Sequence, residues 1–193
     1  MTAAPASPPT PATLLDETAI RECVERVAAE IAQDYPDGVV LVGVLKGALI
    51  FLADLTRALA NCDVMIDFIA ISRYAPDSGR VRILHDVGLD LSGRDVILVE
   101  DLVDTGLTIA YLVEHLRARG PRRLEVCTML DRRARRIVPL EVRYVGAAIP
   151  DVFVLGYGLH QADLYRNLPR VVEADPRVLR EDPAAYLDSL YST

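Results

Sequence analysis

The sequence predicts an α/β protein: a mostly parallel, twisted sheet flanked by helices, within one domain. Three observations carry that reading. A short, continuous, β-branched apolar run, GVVLVGVL, fits a strand buried on both faces, and DVILVEDL reads as another buried strand. Stretches with apolar residues at helical spacing alternate with those runs. A length of 193 residues suits a single domain with a substantial core.

Each element follows in order. Residues 1–13, MTAAPASPPTPAT, are rich in Ala, Pro and small polar residues and read as a disordered N-terminal arm, with the domain spanning 14–193. A helix starts at about Asp16, where Ile20, Cys23, Val24, Val27, Ala28 and Ile31 recur on one face and Asp37-Gly38 stands just past the end. Residues 38–45 form a buried strand, and 47–60 read as a helix. Residues 64–72, VMIDFIAIS, form a second strand that runs into a polar stretch, 73–79, with the composition of a mobile loop. Residues 81–87 return as a strand, and 95–102 form another buried one. A helix over 105–119 carries Arg117 and Arg119 in its last turn, with Gly120-Pro121 as its stop. Residues 124–130, 142–147 and 153–156 read as further strands. Beyond 172, the apolar Val178, Leu179, Tyr186, Leu187 and Leu190 can pack on the core or on a partner, and the sequence leaves both open. No internal repeat is present.

Composition excludes several functions. No apolar run approaches the roughly 18 residues of a membrane span, because Lys46, Gly47 and Asp54 interrupt the longest candidate. The first residues have neither the basic start nor the apolar centre of a signal peptide, so a cytoplasmic protein is expected. Cys23, Cys62 and Cys127 are odd in number and widely spaced, which argues against a disulfide framework or a zinc site. A net charge of −7 is wrong for a general nucleic-acid binder. An acidic protein can still hold an anionic substrate if cations and amides converge locally.

One segment offers that convergence. In VILVEDLVDTGLT, residues 96–108, a buried strand ends in Glu100 and Asp101, and Asp104-Thr105-Gly106-Leu107-Thr108 turns directly into a helix. Ligands of open α/β sheets bind outside the carboxyl ends of strands. Unpaired amides and the positive dipole end at a helix start suit a phosphate. Gly106 allows close backbone approach, and the Thr105 and Thr108 hydroxyls add donors. Vicinal ribose hydroxyls or a magnesium ion would partner the adjacent acids. Helix capping and solvated strand-end acids explain each residue separately, but not the combination.

This segment resembles the phosphoribosyl-pyrophosphate (PRPP) motif of the type I phosphoribosyltransferases. Val42-Gly43-Val44-Leu45-Lys46-Gly47-Ala48, Asp67-Phe68 through Ser72-Arg73-Tyr74, Phe153-Val154-Leu155-Gly156-Tyr157-Gly158-Leu159 and Tyr165-Arg166-Asn167-Leu168-Pro169 follow in matching order. Over roughly residues 38–171 the chain is similar to the hypoxanthine-guanine phosphoribosyltransferases.

The resemblance implies the type I fold, with a small hood built from the chain ends. It implies purine salvage: transfer of 5-phosphoribosyl from PRPP to hypoxanthine or guanine, giving IMP or GMP and pyrophosphate, with Mg2+ as cofactor. A homodimer or homotetramer is implied, without membrane or nucleic-acid partners. By resemblance, Glu100 and Asp101 hold the ribose hydroxyls and the metal, and Asp104 faces N7 of the purine as a general base. Thr105, Gly106, Leu107 and Thr108 cradle the 5′-phosphate. Lys46 and Gly47 lie in the pyrophosphate loop Leu45-Lys46-Gly47, where the family has a non-proline cis peptide, and Arg166 adds a pyrophosphate contact. Arg73 and Tyr74 begin a loop that closes over the reaction. Phe153 stacks on the purine and the Val154 backbone meets its edge.

Five positions depart from the family. Arg132 stands where a lysine usually donates to the 6-oxo oxygen, and its planar fork differs from a point charge. His160 occupies the position of an aspartate that helps bind a second magnesium, and imidazole suits that hard ion poorly. Arg73 replaces a serine, and Ala147-Ala148 replaces a Phe-Glu pair. These changes raise the alternative of altered purine specificity, toward xanthine or a deazapurine. A PRPP-sensing regulator that binds nucleic acid is a further alternative. Its main basic run, Arg132, Arg133, Arg135 and Arg136, reads as a solvated turn. No GxxxxGK[ST] is present for a P-loop kinase.

Overall fold

The computed structural model describes residues 8–72 and 82–192. The chain begins with β1 (Ala12–Leu15), α1 (Glu17–Asp34), β2 (Val39–Leu45), α2 (Leu49–Ala58), β3 (Val64–Ser72), β4 (Arg82–His85) and β5 (Asp95–Val103). It continues with α3 (Leu107–Arg117), β6 (Arg123–Asp131), β7 (Tyr144–Ala148), β8 (Phe153–Leu155), β9 (Val171–Ala174), α4 (Pro176–Glu181) and α5 (Leu187–Tyr191). Six strands form the central sheet in the order β4-β3-β2-β5-β6-β7. All neighbours are parallel except β4, which lies antiparallel on the β3 edge.

Alternation along the central strands explains why the sheet is covered on both faces. Val39 and Leu41 of β2, with Ile97 and Val99 of β5, point into the core shared with α1 and α2. Val40, Val42, Val44, Val96 and Leu98 point the other way, against Ile109, Leu112 and Leu116 of α3. The α1 face was legible in sequence: Ile20, Val24, Val27, Ala28 and Ile31 are buried, and the Asp16 carboxylate caps the helix by accepting from Ala19 N at 2.8 Å.

A second, antiparallel sheet, β1-β9-β8, forms the hood. Leu155, Tyr165, Leu168, Val172, Leu179, Tyr186 and Leu190 make its core. The C-terminal stretch therefore packs within its own chain, and the Tyr165 hydroxyl fastens it by donating to Pro183 O at 2.7 Å.

Three expectations need correction. Ala12 and Thr13 begin β1 instead of belonging to an unstructured arm, because β9 supplies backbone partners far along the chain (Ala12 opposite Glu173). β8, read as one more strand of the series, belongs to the hood sheet. The 47–60 and 105–119 helices are shorter at both ends, and residues 46–48 and 104–106 form the turns that join the strands to them.

Candidate functional site

The strand order places a topological switch between β2 and β5: the chain leaves β2 toward β3 on one side and leaves β5 toward β6 on the other. A crevice forms outside the carboxyl ends of strands at such a point. Lys46 and Gly47 follow β2, Glu100 to Asp104 end β5, and Arg132 follows β6, so all three strands deliver their predicted site residues to one edge.

A cleft of about 430 Å³ brings together Lys46, Gly47, Glu100, Asp101, Asp104, Arg132, Phe153, Val154, His160 and Arg166. Phe153 and Val154 come from the hood, which roofs the cleft. Thr105, Gly106, Leu107 and Thr108 stand beside it as the turn into α3, where the first helical amides have no partner within the helix. Gly106 is the α3 N-cap at φ +86°, a left-handed conformation that glycine adopts without a steric penalty. Arg73 and Tyr74 lie outside the described residues. A larger cavity of about 860 Å³ between α1 and α2 reaches Tyr157 and Arg166 but holds none of the strand-end acids.

Close backbone approach shapes the cleft. The Leu45-Lys46 peptide is cis, within the loop where the resemblance implied a non-proline cis bond. A Cβ on Gly47 would overlap the Asp101 carboxylate, so only glycine fits between the β2 turn and the acid. Asp101 is 7% exposed and Glu100 4%, and Asp101 Oδ1 accepts from Leu102 N at 2.7 Å.

The ion pairs sort the charges. Arg132, 3% exposed, donates from Nη1 to Asp104 Oδ2 at 3.1 Å. Burial pulls the Arg132 guanidinium below its ordinary value, opposed by the Asp104 charge. Among the described residues, Asp104 Oδ1 and Arg132 Nε are buried without hydrogen-bond partners. That leaves unused acceptor and donor capacity on two residues that line the cleft. Asp163, which the sequence reading missed, accepts from Arg166 Nη2 at 2.8 Å and from Lys46 Nζ at 3.4 Å. The Arg166 and Lys46 hydrogen bonds hold the Asp163 carboxyl below the usual carboxylate range. His160 Nδ1 accepts from Asp163 N at 3.0 Å, which puts the ring's proton on Nε2 in the neutral tautomer.

The basic run is not a solvated turn throughout. Arg133 and Arg135 are exposed, but Arg132 and Arg136 are drawn inward by Asp104 and by Asp131, itself 2% exposed. Two carboxylates under the turn offset the repulsion of packing cations together. Sequence spacing carried no signal for this, because Asp104 and Arg132 are separated by 28 positions.

Magnesium chemistry fits part of this donor set. Glu100 and Asp101 offer adjacent, hard oxygen ligands, and Mg2+ completes its shell with water and substrate oxygens. Among the described residues, no cluster of three or more acidic, His or Cys side chains forms an all-protein cage. None of the described helices is long and apolar enough to cross a membrane.

Comparison with known proteins reaches the same elements. The phosphoribosyl transferase domain family matches residues 12–162. The chain is 41% identical over 162 residues to a hypoxanthine-guanine phosphoribosyltransferase of Staphylococcus epidermidis, covering 82% of this chain and 90% of that one. It is 39% identical over 169 residues to its Bacillus subtilis counterpart, covering 86% and 93%. The solved structure of Trypanosoma cruzi hypoxanthine phosphoribosyltransferase, in complex with the product IMP, matches with a TM-score of 0.81 at 42% identity, covering 86% of this chain and 95% of that one.

Proposed function

The chain belongs to the phosphoribosyl transferase domain family, among the relatives of the hypoxanthine-guanine phosphoribosyltransferases, and on that premise we propose that it salvages 6-oxopurines. It transfers 5-phosphoribosyl from PRPP to hypoxanthine or guanine, forming IMP or GMP and releasing pyrophosphate. One observation carries this reading: the strand-end acids, the cations of the Lys46 and Arg166 loops, and the Phe153 wall share a single cleft beside the α3 N-terminus.

The geometry suggests a role for each group. Glu100 and Asp101 accept hydrogen bonds from the ribose hydroxyls and hold the ring against the β5 end. The amides of the Thr105 to Thr108 turn bind the 5′-phosphate, aided by the helix dipole. Lys46 and Arg166 face the leaving pyrophosphate, and its negative charge takes over the cations that Asp163 holds. As the purine N9 bonds to C1′, the C1′–O bond breaks and its electron pair leaves with pyrophosphate. Asp104 Oδ1, unpartnered among the described residues, accepts the proton from N7. Phe153 stacks on the base, and Arg132 donates to its 6-oxo oxygen. Bound at Glu100 and Asp101, Mg2+ supplies charge neutralisation for the donor's oxygens. His160 has no metal role here, because its Nδ1 lone pair is engaged by Asp163 N. Arg73 and Tyr74 contribute to closure over the cleft. The hood and central sheet act as one domain, and a homodimer or homotetramer accompanies the reading.

A purine panel with PRPP and Mg2+ tests it. Hypoxanthine and guanine should give the highest kcat/KM, above xanthine and adenine. Absence of nucleotide from every base would end the proposal, and a dominant preference for xanthine would move the base assignment.

A further inference from the structure

The turn after β6 grips Asp104 from two sides. Arg132 donates to its carboxylate, and Arg136, four residues on, donates from Nε to its backbone carbonyl at 3.0 Å. The same turn also reaches the next residue, where Ile137 N and Val138 N both donate to Thr105 O, at 3.0 and 3.3 Å. The Arg136 stem packs beside Gly106, so that a Cβ there would lie 2.9 Å from Arg136 Cδ. Every carbonyl from 103 to 105 is thus claimed by this turn, since Arg132 N donates to Val103 O at 3.0 Å. With these carbonyls tied back, the 105–108 turn is held in one conformation beside the cleft, and Leu107 N donates within it to Thr105 Oγ1 at 3.4 Å.

Arg136 is itself fixed from behind. Its Nη2 pairs with Asp131, a carboxylate 2% exposed at the end of β6, and its Nη1 reaches Leu140 O at 3.4 Å. A side chain 16% exposed, paired at one end and bonded to backbone at the other, is locked in one rotamer. Nothing in this arrangement requires Arg136 to touch a ligand.

We propose that Arg136 is a positioning residue for the PRPP site: anchored on Asp131, it holds the Asp104 carbonyl and the Gly106 flank so that the phosphate turn is preformed. The inference rests on the PRPP-binding reading above. It goes beyond that reading by tying the turn that carries Arg132, the base contact, to the turn that binds the ribosyl donor.

The test uses the full-length protein, with PRPP and Mg2+ titrated by calorimetry and transfer measured on hypoxanthine. Arg136→Lys keeps a cation for Asp131 but has no Nε fork to reach the Asp104 carbonyl. Its PRPP affinity should fall about tenfold or more, the scale of one lost hydrogen bond from a charged group, while the KM for hypoxanthine changes less than threefold. Arg136→Ala should lose more, and added ethylguanidinium should restore part of the PRPP affinity, a response that a purely structural role would not give. Should Arg136→Ala fail to fold, the Lys variant alone decides. An Arg136→Lys protein within twofold of wild type in PRPP affinity overturns the inference and leaves the functional reading standing. A wild-type protein that binds no PRPP overturns both.

Discussion

Replacing Gly47 by Ala tests how closely the pyrophosphate loop and the strand-end acids must approach. The new Cβ falls inside the van der Waals envelope of the Asp101 carboxylate. Restoring ordinary contact requires the carboxylate or the 45–47 backbone to retreat by well over an ångström. A displacement of about 1 Å can already cost on the order of a hundredfold in rate when it falls among reacting groups. Neither side yields easily. Asp101 is 7% exposed and bonded to Leu102 N at 2.7 Å, while Gly158 packs directly on the Gly47 carbonyl from behind. We therefore expect kcat/KM for PRPP to fall about a hundredfold, with thermal unfolding shifted by only a few degrees because the hydrophobic cores are untouched. Coupled spectrophotometric detection of IMP formation, beside a melting curve, measures both. A Gly47→Ala protein with kcat/KM within threefold of wild type would refute the claim that these two elements share one tightly packed site.

Other outcomes follow from the same structure. Arg132→Met removes the cation that meets the base, so kcat/KM for hypoxanthine should fall, while stability should drop by only about 1 kcal/mol because the Asp104 side chain left behind is 35% exposed, as steady-state kinetics and melting will show. Leu98→Ala opens a cavity in a fully buried β5 position and should destabilise by about 3 kcal/mol in urea, with little change in KM for either substrate. The Tyr144 hydroxyl at 2.7 Å and Arg143 at 3.0 Å hold the Asp34 carboxyl below its usual value. That stabilisation is complete above the unfolded-state value near about pH 4 and is lost as pH falls through the lowered folded value. Asp34→Asn should accordingly melt lower at neutral pH and lose less on acidification from pH 6 to pH 3 than wild type does.

Much of this was legible in the sequence because the central strands advertise themselves. A strand buried on both faces needs an uninterrupted apolar run, and residues 39–45 and 96–99 have one. The hood was harder to see. β1 and β9 are four residues each, and β1 sits in a proline-rich stretch whose strand geometry depends on pairing with a strand far along the chain. Local propensity carries no trace of such a partner. The acids of 100–104 were readable as a site because strand, carboxylates and helix start are contiguous in the chain. The cationic side was only half readable. Lys46 and Arg166 belong to recognisable motifs, whereas the Asp163 bridge between them and the inward turn of Arg136 depend on loops meeting in space.

The most direct test of the central claim is product identification: purified protein incubated with hypoxanthine, PRPP and Mg2+, with nucleotide and pyrophosphate quantified together. IMP and pyrophosphate formed one to one, and lost in an Asp104→Asn protein that still folds, is the predicted result. Pyrophosphate release without IMP, or IMP formation undiminished in Asp104→Asn, would contradict the account.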